Sequence, residues 1–566
     1  MNDELIIRNG IVVDPANDID REVMDIAIRG GKIVRKASPS AKIIDASGML
    51  VMPGGVDIHS HIAGSKTNAA RVMRPEDHVR DFERKTALTR SGVGHSIPST
   101  FTTGYRYARM GYTTVIEPAT PPMKTRHTHE ELNDIPIIDK ACFPLFGNNW
   151  HVMEYLEKGD VDGCAAYIAW MLRSTKGYAI KIVNPGGVEA WHWGGNIRGL
   201  DWEVPNFGIT PREIIRGLCK VNKILKLPHT IHVHPNNLGK PGNYLNTIKT
   251  MDCVKDLAEE GRAAIHITHC QFTSFKGEDW STLRSGAEEI ANYVNKVKHV
   301  TIDMGQIIFT ATTTMTADGP FEYILHQLQG RKWHNTDVEA ETGAGIVPVV
   351  YKRKNFVNTT QWAIGLELAL LVKDPWRIYM TTDHPNAGPF TAYPRVISWL
   401  MSKKARENTM KRLNQGAVKK SNLPSLDREY SFAEMATVTR AATARALGLK
   451  DKGHLGIGAD ADVSIYGVNP KEVDPSNDYR AVRKAMRRAA YTIKEGEIVV
   501  RDGEIVKVIE GKTFWADARV PDDMEMKLQS ELSEKFQDYY TIQAENYVIA
   551  EDYLARSAPI IPGGTR

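Results

Sequence analysis

Residues 49–61, MLVMPGGVDIHSH, run from an apolar strand through a Pro-Gly-Gly turn into a histidine pair, His59 and His61. Side chains two apart on a strand project to one face, so both imidazoles can address one ion. Asp57 precedes them on the same face. Seven further apolar strands follow the same plan, each ending in a polar, Gly-rich or Pro-rich cluster: TTVIEPA, ACFPLFGNN, YAIKIVNPGG, HTIHVHPNN, AAIHITHCQF, HVTIDMGQI and RIYMTTDHPN. Strands alternating with longer helical stretches specify a parallel sheet. Eight of them predict an α/β fold of the (β/α)8 TIM-barrel type, with the site at the strand C-terminal ends.

The flanks read differently. The first fifty residues, with LIIRNGIVVD and MDIAIRGGKIV, and the later GADADVSIYGV and TIKEGEIVVRDGEIVKVIE are short strands punctuated by hairpin signals at Asn9-Gly10 and Asp502-Gly503. The expected organisation is a composite β-sandwich built from residues 1–50 and 446–515, a barrel over 51–445, and a helical extension over 516–566. Two insertions exceed a minimal barrel, one from Ala63 to about Tyr112, the other from Thr310 to Gln361 carrying TATTTMTADGPFEY and the acidic HNTDVEAETG. The acidic, aromatic tail predicts a helix packed on its own barrel; the alternative is a docking surface for a partner protein of the same complex.

Composition narrows the function. With 72 Lys+Arg against 68 Asp+Glu, the net charge of +4 is too small for a nucleic-acid-binding face. The five cysteines form no CxxC pair, which predicts reduced thiols, no iron–sulfur cluster in this chain and a cytoplasmic setting. The start MNDELIIRNG is unlike a signal peptide, and no run of about 18 apolar residues is available to span a membrane.

The chemistry-bearing residues sit at the strand ends. His234 and His269 close their strands and are the candidate ligands there, while His232 and His266 lie deeper, where packing or hydrogen bonding is expected. Asp383 can hold a metal and move a proton; His384 points away from it. Lys181, inside the apolar YAIKIV, is costly to bury as an unpaired ammonium. It forms a salt bridge, or its amine has taken up carbon dioxide to become a carboxylate that bridges two cations. Four histidines and one aspartate otherwise leave two ions without a bridging anion.

This order, HxH on the first strand, Lys on the fourth, His on the fifth and sixth and Asp on the eighth, resembles the binuclear amidohydrolase superfamily. GHLGIGADADVSIY is similar to its re-entry motif, with Gly458, Ala459 and Asp462 in place. The strings PGGVDIHSHIAG, YAIKIVNPGG, IHVHPNNLG, HITHCQF and TTDHPNAGPF, with YTIQAENY in the tail, further resemble the A subunits of formylmethanofuran dehydrogenases, over nearly the whole chain. The resemblance implies His59, His61, carboxylated Lys181, His234 and His269 as metal ligands, and Asp383 as ligand and catalytic acid/base. It implies two divalent ions, zinc fitting an imidazole-rich set. It also implies condensation of formate with the amine of methanofuran, beside partner subunits that carry molybdenum or tungsten and iron–sulfur clusters and reduce carbon dioxide in methanogenesis. A related formyltransferase/hydrolase subunit shares these strings, and a free-standing hydantoinase or dihydropyrimidinase shares the ligands. Asn237, Lys240, Arg173, Arg198 and Trp193 are the candidate contacts for the substrate.

Overall fold

The computed structural model describes residues 4–79, 81–335, 344–539 and 543–563. The acidic part of HNTDVEAETG beyond Asn335 and the first three residues of YTIQAENY lie outside them.

Eight parallel strands form a closed barrel: β1 Gly55–Asp57, β2 Tyr112–Thr120, β3 Asp139–Pro144, β4 Lys181–Val183, β5 Ile231–His234, β6 Ile265–Ile267, β7 Val300–Asp303 and β8 Ile378–Tyr379. Two single bridges complete the ring, Leu145 to Lys181 between β3 and β4, and Ser60 to His384 between β8 and β1. All eight strands are buried on both faces, and in IHVH and IHI apolar residues alternate with polar ones. Partners in a parallel register project to the same side. Lys181, His232, His266 and Thr301 are register partners in succession and so form one polar row inside the barrel.

The helices between strands obey local rules. Pro211–Ile224 starts with Thr210 and Glu213 in a reciprocal capping box and Pro at its first position. Its apolar residues Ile214, Ile215, Leu218 and Val221 pack inward.

Both chain ends supply one nine-stranded sheet, in which Leu50–Pro53 pairs antiparallel with Val463–Tyr466. It has its own core of Leu5, Ile7, Ile28, Val51, Val463 and Ile493. Buried ion pairs lock this sheet to the barrel: Lys452 meets Asp460 at 2.8 Å and Asp462 at 2.7 Å, and Lys494 meets Asp139 of β3 at 2.8 Å.

Two features of the C-terminal part differ from the expected boundaries. Thr513–Ala516 joins the barrel rather than the composite sheet, because the Lys140 amide donates to Lys512 and the Lys512 amide to Asp139. The extension, expected to be helical, also supplies Ser557–Ile560 parallel to that strand. Its helix Asp522–Tyr539 packs on Val161–Thr175, with Phe536 against His151, Trp170 and Tyr547. Among the described residues no helix is long and apolar enough to cross a membrane.

Candidate metal centre

The strand ends turn sharply where the site begins: Asn184, His269 and Asp383 all have positive φ, at 40°, 37° and 45°. Such backbone is stored strain held in place by its surroundings. At His269 the support is visible. Its amide donates to Asp303 Oδ1 at 2.9 Å, and a Cβ on the neighbouring Gly305 would come within 2.6 Å of the His269 Cβ.

His59, His61, Lys181, His234, His269 and Asp383 all border one cavity of about 480 Å³. All six are buried. His59, His269 and Asp383 bring one ligand atom each within 4.8 Å of one another.

Hydrogen bonding fixes which imidazole nitrogens are free. His229 Nδ1 lies 2.6 Å from the carbonyl of Ala446, an acceptor only, so that nitrogen carries the proton. Burial pushes His229 down to about 3 and His232 and His59 well below the ordinary histidine range, so all three are neutral. His229 Nε2 therefore accepts from His232 Nδ1 at 3.1 Å, and His232 Nε2 accepts from His59 Nδ1 at 2.9 Å. The hydroxyl of Thr268 is a second acceptor for that same proton. This leaves His59 Nε2 as a lone pair, and it is buried without a hydrogen-bond partner. His61 is held differently, its Nδ1 donating to Glu117 Oε1 at 2.8 Å.

Both Nε2 atoms face Asp383 Oδ1, at 2.9 Å from His59 and 3.3 Å from His61. Burial raises the Asp383 carboxyl, His61 opposes that, and Asn386 Nδ2 donates to Oδ1 at 2.9 Å. Lys181 Nζ and His269 Nδ1 are buried with no hydrogen-bond partner among the described residues. Burial brings the Lys181 amine down to about 7, against the attraction of Asp383 and Asp303. Among the described residues no salt bridge holds it. Buried imidazole lone pairs, a carboxylate and a free amine are the donor set of a divalent-metal site, and these residues fit one.

Several residues that serve the site escaped the sequence reading. Glu117 of β2 holds His61, accepts from the Ile62 and Ala63 amides and pairs with Lys66 at 3.1 Å. Lys66 and the partners around it bring the Glu117 carboxyl to about 2 despite its burial. Asp318 accepts from His234 Nε2 at 3.1 Å, and Asp303 pairs with His266 at 3.0 Å. Glu322, buried on the cavity wall, has its carboxyl pushed well above the ordinary value by burial and accepts from Thr314 at 2.8 Å. The signal was available: a carboxylate inside an apolar strand, as in TTVIEPA, raises the same burial question as Lys181.

The insertion from Thr310 to Gln361 forms a wall of the cavity. Its strands Ala311–Thr316 and Gly345–Val350 and helix Gly319–Gln329 contribute Thr314, Asp318, Phe321, Glu322 and Tyr351. Of the expected substrate contacts, Asn237 and Lys240 line the cavity. Arg173, Arg198 and Trp193 do not. Arg173 ends the helix leading into β4, at the opposite end of the barrel, and binds Glu525 and the Ala518 carbonyl of the C-terminal extension. Arg198 stacks over Trp202 at 5.2 Å, and Trp193 is 65% exposed, its indole donating to Glu189. His232 and His266 lie deep, as expected, and His384 packs edge-on against Phe390.

A model of the amidohydrolase family matches residues 42–500. Protein FwdA of Methanocaldococcus jannaschii is 53% identical over 557 residues, 97% of each chain. The A subunit of the formyltransferase/hydrolase complex Fhc of Methylorubrum extorquens is 37% identical over 94% of each chain. A chain of the crystal structure of the complex FhcABCD from that organism, solved with methylofuran, superimposes with a TM-score of 0.88 at 34% identity, covering 99% of this chain and 100% of that one.

Proposed function

Because this chain belongs to the amidohydrolase family, we propose that it is a metal-dependent formyl-amide hydrolase and synthase, the A subunit of a formylmethanofuran dehydrogenase complex. In the synthetic direction it joins formate to the amine of methanofuran; in reverse it hydrolyses N-formylmethanofuran. The observation that carries the reading is the convergence of six buried groups, with two imidazole Nε2 atoms facing one carboxylate oxygen, on the floor of one cavity. The substrate class rests on likeness over nearly the whole chain to Protein FwdA and to one component of a complex solved with methylofuran. A cyclic-amide hydrolase of the hydantoinase type would use the same ligand positions and lacks that support.

His59, His61, Lys181 as its carbamate, His234, His269 and Asp383 would hold two divalent cations, zinc being the ion that suits them. Bound there, such ions supply Lewis acidity to a carbonyl oxygen and bring a water's pKa towards neutrality. The chain's own residues do the rest. In hydrolysis Asp383 Oδ1 takes the proton of the attacking water and delivers it to the departing amine nitrogen; in condensation it returns that proton to the leaving oxygen. Asn386 keeps the oxygen aimed. His232 and His229 hold His59 in one tautomer, and Glu117 does so for His61. Phe272, Phe321 and Tyr351 exclude water, while Asn237 and Lys240 at the rim are placed to take polar groups of the substrate. The formate comes from partner subunits bearing molybdenum or tungsten and iron–sulfur clusters, in a cytoplasmic complex.

Incubation of the purified metal-loaded chain with N-formylmethanofuran, with formate quantified, tests the assignment. Release by the parent and loss of about 10²-fold or more in Asp383→Asn is expected. A metal-loaded parent that releases no formate but opens dihydrouracil would replace the substrate.

A further inference from the structure

A second cavity of about 700 Å³ lies beside the catalytic one and has a different character. Its walls come from the helix Pro475–Arg487, the start of the helix Tyr393–Met401, and the segment around Arg353. Lys352 borders the catalytic cavity and Arg353 this one, so the same stretch of chain separates them.

Eight arginines border it; Arg106 is tied to the Gly94 carbonyl, Arg109 to Glu83 and Arg488 to Glu504, which leaves Arg353, Arg395, Arg480, Arg483 and Arg487, with Lys484 beside them. Arg480, Arg483 and Arg487 recur at helical spacing and so share one face. A smaller cavity of about 310 Å³ continues from it past Arg353, Arg395, Arg480 and Arg483. The whole chain carries a net charge of only +4, so this is a local concentration and not a general basicity.

The concentration is only partly compensated, Asp81 attracting Arg487. Asp81 and Glu83 are the acidic side chains that border the cleft, and both are engaged: Asp81 with His95 at 2.6 Å and Glu83 with Arg109 at 2.7 Å. Among the described residues, none of the five arginines forms an ion pair with a carboxylate. Arg395, half-buried between the two cavities, is lowered by burial and by repulsion from Arg483, Arg353 and Arg487. Like charges gathered in a concave, partly desolvated cleft repel one another and focus a positive potential. Guanidinium groups in such numbers match the paired oxygens of phosphates and carboxylates.

We propose that this cleft is a binding site for a small molecule carrying two or more phosphate or carboxylate groups, separate from the metal centre. The concave walls from several segments favour a small ligand over an extended acidic chain.

Calorimetric titration of the full chain with inorganic triphosphate and with citrate at low salt tests this. Either probe should bind and raise the thermal midpoint, with affinity falling as salt rises, and the tighter probe identifies the anionic group. In Arg395→Gln/Arg483→Gln the affinity should fall at least about tenfold. The variant's own midpoint should hold or rise, since like charges have been removed. Arg35→Gln/Lys36→Gln, which removes the same charge from the distant sheet, should bind as the parent does. No binding of either probe overturns the proposal, as does an equal loss in both double variants. Binding of a hexa-aspartate peptide alone would overturn it in favour of a protein-docking face.

Discussion

His59 Nε2 and Asp383 Oδ1 are both hydrogen-bond acceptors, yet they stand 2.9 Å apart in a buried site. Two buried acceptors cannot satisfy one another, and leaving either unsatisfied costs about 1–3 kcal/mol. A proton or a cation between them removes the conflict. The chain Ala446 carbonyl, His229, His232, His59 is what creates it, since each member passes its tautomer to the next.

That relay gives the first prediction. His232→Leu fills the space but offers His59 Nδ1 no acceptor, so His59 can turn its proton towards the site. Groups of this kind typically contribute about 10–100-fold to metal affinity. Competition with a chelator should show a loss of about that size in His232→Leu and a smaller one in His232→Gln, which keeps an acceptor. Unchanged affinity in His232→Leu would assign the tautomer to Thr268 alone.

Lys181 gives the second. With its amine brought down to about 7, a large share is neutral near neutral pH, and only the neutral amine adds carbon dioxide. Metal-loaded protein equilibrated with ¹³C-bicarbonate should show a carbamate carbonyl resonance that Lys181→Arg lacks. Its absence from active parent protein would mean that Lys181 serves as an amine.

Glu322 gives the third. Its carboxyl is held neutral by burial, so Glu322→Gln replaces one neutral acceptor with another and should leave KM within a few-fold of the parent. Glu322→Ala leaves the Thr314 hydroxyl its bond to the Val347 carbonyl but empties a buried volume, and should cost about 0.5–3 kcal/mol in denaturant unfolding. Equal behaviour of the two variants would show that Glu322 is charged or unimportant.

The fourth concerns acid. Glu117 is depressed from the ordinary 4.5 to about 2 in the folded chain. Its stabilisation is fully present above about pH 4.5 and is lost as pH falls towards 2, because there the unfolded chain binds a proton that the native one does not. The difference corresponds to about 3 kcal/mol. Denaturant midpoints measured down this pH range should fall less steeply in Glu117→Gln than in the parent. Parallel slopes would place the acid sensitivity elsewhere.

The sequence by itself pointed to the barrel, because eight strands between helical stretches each end in a polar, Gly-rich or Pro-rich cluster, as strands do around a site at their C-terminal ends. Position along the strand, not periodicity, separated His234 and His269, which border the cavity, from the deeper His232 and His266. What only the tertiary structure decided is whatever depends on meetings between distant segments. Arg173 was legible as a cation after a strand, but helix length placed it at the far end of the barrel, tied to Glu525. Asp318 and Glu322 come from an insertion with no strand rule to aim them, and they reach the cavity only because that insertion folds over it. The tautomer of His59 is set by a carbonyl 387 residues away in the chain, at Ala446. Hydrogen-bond direction passes through space, and no spacing along the sequence records it.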